Sequence, residues 1–258
     1  MIAGPEVRDL LIGRLRSAGC VFAEDEAGLL VEQASDRAEL DAMADRRVGG
    51  EPLEQILGWA GFCGLRLAVA PGVFVPRTRT GLLVAEAVRR CTPGDVLVDL
   101  CCGIGAIAAA VTARIGGLEA YATEIDPVAV DCARQNLGVR AAVFEGDLFR
   151  PLPAGLRGHA RVITANAPYV PSAEIAFMPA EARDHERLIT LDGGPDGLDV
   201  HRRIIAEAQS WLCPGGALLI ETGREQVATD LRLLTAAGLM ASVITDDDIG
   251  ATVVVGQN

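Results

Sequence analysis

The spacing of apolar residues divides the chain into two regions. From about residue 5 to residue 48, apolar positions recur at the intervals of an amphipathic helix, as in Val7, Leu11 and Leu15. From Asp95 to the C-terminus, short runs rich in Val, Ile and Leu alternate with stretches of helical spacing. The first pattern predicts a small helical bundle, and the second predicts alternating strands and helices.

Strand–helix alternation implies parallel strands joined by right-handed crossovers, with helices on both faces of the sheet. Only a short turn separates the last two predicted strands, so these two are antiparallel if they pair. We therefore predict an α/β, Rossmann-like fold. Its sheet is seven-stranded and mostly parallel, it ends in an antiparallel hairpin, and a small N-terminal helical domain precedes it. The predicted boundaries are residues 1–60 for the helical domain, 61–76 for a β-hairpin linker and 77–258 for the α/β domain.

Composition narrows the possible partners. The formal net charge is −12, whereas proteins that bind nucleic acid gain much of their affinity from basic surfaces, so the charge argues against a nucleic-acid partner without excluding a local basic patch. The longest apolar runs are too short to span a bilayer, and the pattern of a signal peptide is missing, so we expect a cytoplasmic protein without membrane contact. The seven cysteines form no C-x-x-C pair and the three histidines are scattered, so we expect no metal.

A glycine-containing turn follows the first strand of the α/β region. This strand ends at Asp99, and Cys101, Gly103 and Gly105 lie between it and the next helix. Glycines let a ligand approach the backbone and let a helix begin close to its strand. The full G-x-G-x-x-G pattern is absent, so a tight turn without a ligand remains the alternative at this point.

Two further carboxylates close the next two strands. Glu124 ends the second strand and suits the two ribose hydroxyls of an adenosine, while Asp147 follows the third strand and can accept from the amine of adenine. In open α/β sheets, ligands bind at the carboxyl edge of the strands. Acids at three successive strand ends favour S-adenosylmethionine as the cofactor, with a dinucleotide as the alternative.

The fourth strand leads into the sequence Asn166-Ala167-Pro168-Tyr169. Pro168 fixes its own φ and keeps Ala167 extended, so the Asn166 side-chain oxygen and the Ala167 carbonyl can point into one pocket. These two acceptors could bind both N–H groups of a planar NH2 group, and Tyr169 could lie flat against it. An amide nitrogen is a poor nucleophile, and such alignment would be the main source of catalysis. The alternative interpretation of this sequence is an ordinary turn without a catalytic role.

Several strings resemble those of the protein-(glutamine-N5) methyltransferases. These HemK/PrmC-like enzymes methylate the glutamine of the Gly-Gly-Gln motif in bacterial peptide-release factors. The resemblance extends from about Arg46 to the C-terminus, and the string from Leu191 to Asp199 is highly specific to the family. The other strings include Gly49-Gly-Glu-Pro-Leu53, Ile56-Leu-Gly58, Phe62-Cys-Gly-Leu65, Pro71-Gly-Val-Phe-Val-Pro-Arg77, Gly146-Asp-Leu-Phe149 and Asn166-Ala-Pro-Tyr169.

The resemblance implies a class I methyltransferase fold, S-adenosylmethionine as the methyl donor and a protein substrate that carries a target glutamine, a release factor or another protein. It implies contact with the substrate glutamine for Asn166, Pro168 and Tyr169. It also implies that Asp99, Glu124 and Asp147 contact the cofactor. To these predicted cofactor-binding residues we add Cys101, Gly103 and Gly105 of the turn, together with Asn166.

Three positions depart from the family pattern. Ala167 replaces a proline, Arg79 stands where an acid is expected, and Cys101 replaces the first glycine of the cofactor turn. Two alternatives therefore stay open. One is a methyltransferase acting on adenine N6 or guanine N2, since a base amine is also a planar NH2 group. The other is a catalytically silent protein that binds S-adenosylmethionine.

Overall fold

The computed structural model of the protein describes residues 4–258. Its N-terminal part is a bundle of four helices with an apolar core of its own, in which Leu15, Leu30 and Leu40 are fully or almost fully buried. Asp36 starts the third helix, because its side chain accepts a hydrogen bond from the Glu39 N–H at 2.9 Å. The helices are α1 (Pro5–Ser17), α2 (Ala23–Gln33), α3 (Arg37–Val48) and α4 (Leu53–Leu57).

The C-terminal part is a seven-stranded sheet with helices on both faces, so the predicted fold class is confirmed. In chain order after a short hairpin of β1 (Trp59–Phe62) and β2 (Leu65–Ala68), its elements are α5 (Gly81–Arg90), β3 (Val96–Leu100), α6 (Ala106–Arg114), β4 (Glu119–Glu124), α7 (Pro127–Leu137), β5 (Ala141–Glu145), β6 (Ala160–Ala165), α8 (Ala180–His185), α9 (Asp199–Ala208), β7 (Leu212–Glu221), α10 (Val227–Ala236), β8 (Met240–Asp246) and β9 (Ala251–Gln257).

The strands are arranged in the order β5-β4-β3-β6-β7-β9-β8. The first five in this order are parallel, and β9 is antiparallel to both of its neighbours, as the short turn between the last two strands predicted. The carboxyl ends of β3, β4, β5, β6 and β7 therefore share one edge of the sheet. Helix α9 ends at Ala208, and β7 begins shortly afterwards at Leu212, which pairs with Ala160 of β6.

Two apolar clusters cover the two faces of the sheet. Alternation along β3 assigns Leu97 to one cluster and Val98 and Leu100 to the other. In the second cluster the rings of Phe149 and Trp211 stack at 5.2 Å between centroids. Within residues 4–258, no helix has both the length and the apolar character that a membrane crossing requires.

The β1–β2 hairpin packs into the α/β core. Phe62 and Leu67 belong to the cluster on one face of the sheet, together with Val69 from the chain after the hairpin. The Asn136 side chain of α7 donates to the Ala68 carbonyl at 3.0 Å and accepts from the Ala68 N–H at 2.7 Å. The segment that the sequence analysis assigned to a linker, residues 61–76, thus supplies buried side chains to the sheet domain.

Candidate active site

Two adjoining cavities open at the carboxyl edge of the sheet. The first encloses about 770 Å³ including its open mouth and reaches the loop Asn166–Tyr169. The second encloses about 480 Å³ on the same basis and reaches Asp147. Both are lined by Cys101, Glu124 and Pro168, so they form one continuous cleft with two ends. Most of the residues expected at the site therefore lie together.

Glu124 stands where the two cavities meet. Its side chain is almost buried, and its oxygens accept from the N–H groups of Gly103 at 2.8 Å, Ile125 at 2.8 Å and Asp126 at 3.0 Å. Burial raises the pKa of this carboxyl, and the backbone donors oppose that effect. The carboxylate is thus fixed in one orientation at the wall of the cleft, with lone pairs left to accept from a hydroxyl-bearing ligand.

The turn after β3 divides its residues between the cleft and the core. Gly103 and Cys101 line the cleft. Gly105 lies away from the cleft, where α6 packs against α7. Its φ is +77°, and a Cβ at this position would lie 2.8 Å from Leu137 Cδ1, so glycine is required here. Asp99 is fully buried behind the turn, where it accepts from the Ala108 N–H at 3.1 Å and from the Thr164 hydroxyl at 2.8 Å.

Cys101 adopts a left-handed backbone conformation with φ of +50°, which costs a non-glycine residue about 1–3 kcal/mol. Desolvation raises the pKa of its thiol well above the usual value, and the carboxylates of Glu124 and Asp99 add to the effect. The thiol is therefore neutral, and its bulk occupies space in the cleft that a glycine would leave open.

Asp147 lies at the far end of the second cavity. Its carboxylate accepts from Arg203 of α9 at 2.5 Å, and Arg150 stands 3.3 Å away. Gly146 joins this end to β4, since its N–H donates to the Glu124 carbonyl at 2.8 Å. A ligand amine at Asp147 would share the carboxylate with the Arg203 guanidinium.

The Asn166 amide is oriented by a residue that is distant in sequence. Its Nδ2 donates to the Thr80 hydroxyl at 3.2 Å, and Thr80 is buried in the turn before α5. Asn166 lines the first cavity, and with its amide nitrogen engaged by Thr80, its side-chain oxygen is left free to accept. Ala167 and Pro168 line the same cavity, and Ala167 is almost completely buried.

Tyr169 is held at both ends. Its hydroxyl accepts from Arg79 Nη2 at 2.9 Å and lies 3.4 Å from Glu221 Oε1. Its carbonyl accepts from Gln226 Nε2 at 2.8 Å, and Gln226 precedes α10. Gly197 packs directly on this carbonyl, because a Cβ there would lie 2.2 Å from the Tyr169 oxygen.

A family model, "Methyltransferase small domain", matches residues 65–180 of the chain. A release factor glutamine methyltransferase from Geobacter sulfurreducens is 36% identical over 242 residues, which cover 90% of this chain and 84% of the relative. A relative of the same name from Deinococcus radiodurans is 35% identical and covers 93% of this chain and 94% of its own. In fold, a methyltransferase from Pyrococcus furiosus is similar, with a TM-score of 0.57 at 17% identity over 75% of this chain and 89% of that chain.

The chain belongs to the release factor glutamine methyltransferase family. It is therefore an enzyme that uses S-adenosylmethionine as its methyl donor. Of the residues predicted to bind the cofactor, five line the cleft, namely Cys101, Gly103, Glu124, Asp147 and Asn166. Asp99 and Gly105 do not line it, and Asp99 supports the turn from behind.

Three residues that contact Asn166 or Tyr169 were not predicted from the sequence, namely Thr80, Glu221 and Gln226. Thr80 accepts from the distant Asn166 amide, and Gln226 donates to the carbonyls of Tyr169 and Asp196; nothing in the local sequence of either residue indicates these contacts. Glu221 could have been found, because it closes β7 as Asp99 and Glu124 close their strands and so lies at the same edge of the sheet.

Proposed function

We propose that this protein transfers the methyl group of S-adenosylmethionine to the side-chain amide nitrogen, N5, of a glutamine in a peptide-chain release factor. The observation that carries the proposal is the Asn166 amide. Its nitrogen is engaged by Thr80, which leaves its oxygen to accept, and Asn166 lines the same cavity as Tyr169. The names of the relatives from Geobacter sulfurreducens and Deinococcus radiodurans support the release factor as the substrate. Because release factors act in translation, we propose the cytoplasm as the compartment.

The cleft suits the cofactor by the chemistry of its donors and acceptors. Glu124 offers a fixed carboxylate to a ribose, Asp147 offers one to an adenine amine, and the backbone at Gly103 allows close approach. S-adenosylmethionine supplies an electrophilic methyl group on a sulfonium when it is bound. The junction at Glu124 connects the cofactor end to the substrate end, so both reactants share one enclosed space.

The substrate end suits an amide nitrogen. Asn166 and the Ala167 carbonyl are the proposed acceptors for the two N–H groups of a glutamine side chain, and Tyr169 is the proposed surface for its planar face. Because the lone pair of an amide is delocalised, the gain comes from orientation and preorganised dipoles rather than from a strong base.

The direct test is methyl transfer to a purified release factor followed by mass spectrometry of the modified peptide. We expect one methyl group on the glutamine of its Gly-Gly-Gln motif, and none when that glutamine is replaced by alanine. A parallel incubation with RNA and DNA tests the nucleic-acid alternative. Methyl groups on a nucleobase or a lysine would contradict the proposal, and cofactor binding without transfer to any substrate would favour the silent alternative.

We propose that the N-terminal helical domain recognises the protein substrate. The cleft-lining residues all lie from Phe74 onward, and the bundle has a separate core. Arg47 of α3 bridges Glu26 of α2 at 2.6 Å and lies 3.5 Å from Glu181 of α8, which connects the bundle to the segment that borders the first cavity.

Deletion of the bundle tests this second proposal. The shortened chain should begin at Gly58, because a start at residue 77 would remove Phe62, Leu67 and Val69 from the core of the sheet domain. We expect cofactor affinity by calorimetry to be kept and methyl transfer to the release factor to be lost. Undiminished transfer by a chain that unfolds cooperatively on heating would show that recognition lies elsewhere.

A further inference from the structure

Arg79, Tyr169 and Glu221 form a closed triangle at the substrate end of the cleft. Arg79 Nε donates to Glu221 Oε1 at 3.1 Å, and its Nη2 donates to the Tyr169 hydroxyl at 2.9 Å. The Tyr169 hydroxyl in turn donates to the same Glu221 oxygen at 3.4 Å. Each member therefore contacts both others, and the three come from the turn before α5, the loop after β6 and the end of β7.

In the triangle, the Arg79 guanidinium compensates the charge of Glu221, and Tyr169 stays protonated. Glu221 is 2% exposed, and an isolated carboxylate at that depth would be costly, so the Arg79 guanidinium compensates it. Burial raises the pKa of Tyr169, and the Glu221 carboxylate raises it further, so the phenol keeps the proton that it donates. A guanidinium has N–H groups in fixed, planar directions and can serve the two acceptors at once.

The triangle fixes the Tyr169 ring. Gln226 holds the backbone of this residue through its carbonyl, and Arg79 and Glu221 hold the hydroxyl at the opposite end of the side chain. With both ends bound, rotation of the ring away from the cavity would break at least one hydrogen bond to a charged group. Loss of Arg79 would release the hydroxyl end.

We propose that Arg79 is a positioning residue for methyl transfer. It acts through the Tyr169 hydroxyl to hold the ring against the substrate amide, and it does so at a position where the family resemblance implies an acid. The inference rests on the proposed function, since it assigns Tyr169 to the glutamine. Arg79 itself carries no proton or methyl group in this account.

A double-mutant cycle between Arg79 and Tyr169 tests the proposal. Arg79→Met should lower kcat about tenfold or more, with the KM for S-adenosylmethionine almost unchanged. Arg79→Lys should recover part of the loss, because one ammonium keeps the charge near Glu221 without the fixed pair of donors. In a Tyr169→Phe background, Arg79→Met should cost little more, since the hydroxyl through which Arg79 acts is already absent.

Arg77→Met is the matched control. Arg77 lines the same cavity, but it bonds to Glu186 at 2.6 Å instead of Tyr169, so its effect should add fully to that of Tyr169→Phe. Thermal unfolding and cofactor titration of each variant separate a folding defect from a positioning defect. Wild-type kcat in Arg79→Met, or full additivity with Tyr169→Phe, would overturn the inference. Absence of glutamine methylation by the wild-type protein would instead overturn the proposed function.

Discussion

The two ends of the cleft are built in different ways. At the proposed cofactor end, Gly103, Glu124 and Asp147 lie at or just after strand ends, and the Glu124 carboxylate is bonded to the neighbouring backbone and to the turn after β3. At the substrate end, Asn166 and Tyr169 depend on side chains that come from distant parts of the chain. Apart from the contact of Asp147 with Arg203 of α9, the proposed cofactor end follows from the sheet itself, whereas the proposed substrate end is assembled by long-range contacts.

The first prediction separates rate from binding at the substrate end. Asn166→Ala should lower kcat by about a hundredfold or more, because it removes an acceptor that is preorganised for the transition state. Calorimetry should show nearly unchanged affinity for S-adenosylmethionine. Thr80→Val is the companion variant: it leaves the Asn166 oxygen in place and removes only the hydroxyl that orients it, so its loss should be smaller. Full activity of Asn166→Ala would contradict the assigned role.

The second prediction concerns the proposed cofactor end, where we expect a larger effect on cofactor binding than on turnover. Glu124→Ala should weaken cofactor binding by about 1.5–3 kcal/mol, roughly ten- to a hundredfold in Kd, since a charged acceptor is lost. Turnover at saturating cofactor should fall less than binding does. Glu119→Ala, at the exposed start of the same strand, is the control and should bind normally. Tight binding of NAD and none of S-adenosylmethionine would refute the cofactor assignment for this end.

The difference between the two ends of the cleft explains which site residues could be predicted from the sequence and which could not. The strands β3 and β4 and their terminal acids follow from local patterns, and the common edge of parallel strands then brings Glu124 and Asp147 to one cleft. The roles of Thr80 and Gln226 depend on tertiary contacts that no local pattern encodes. The role of Asp99 was also beyond local reasoning, because a strand-end acid can face either the ligand or the following helix, and here its hydrogen bonds go to Ala108 and Thr164.

A third prediction concerns the glycine that packs on Tyr169. Gly197→Ala should lower kcat about tenfold, because a Cβ at 2.2 Å from the Tyr169 carbonyl oxygen must displace that residue or Gln226. Cofactor affinity should be kept. Gly158→Ala is a close control, since Gly158 also has a positive φ, +74° against +76°, but no heavy atom within 4 Å of the added Cβ. Equal losses in the two variants would attribute the effect to backbone strain alone.

The smallest effect on function is expected for a substitution of Asp99, and its role is tested by measuring the stability of the fold. Burial raises the pKa of this carboxyl from 3.8 to about 7, so the folded protein holds a proton that the unfolded chain releases between these values. The contribution of Asp99 to stability is complete below about pH 4 and is lost as the pH rises through 7.

Asp99→Asn removes this titration, so wild type should lose stability relative to the variant by a few kcal/mol between pH 4 and 8, measured by denaturant unfolding. Titration of other groups cancels in that difference. Because Asp99 lines neither cavity, cofactor affinity should change far less than in Glu124→Ala. A loss of affinity as large as that of Glu124→Ala would assign Asp99 to the cofactor directly and would extend the ligand-contacting surface behind the turn.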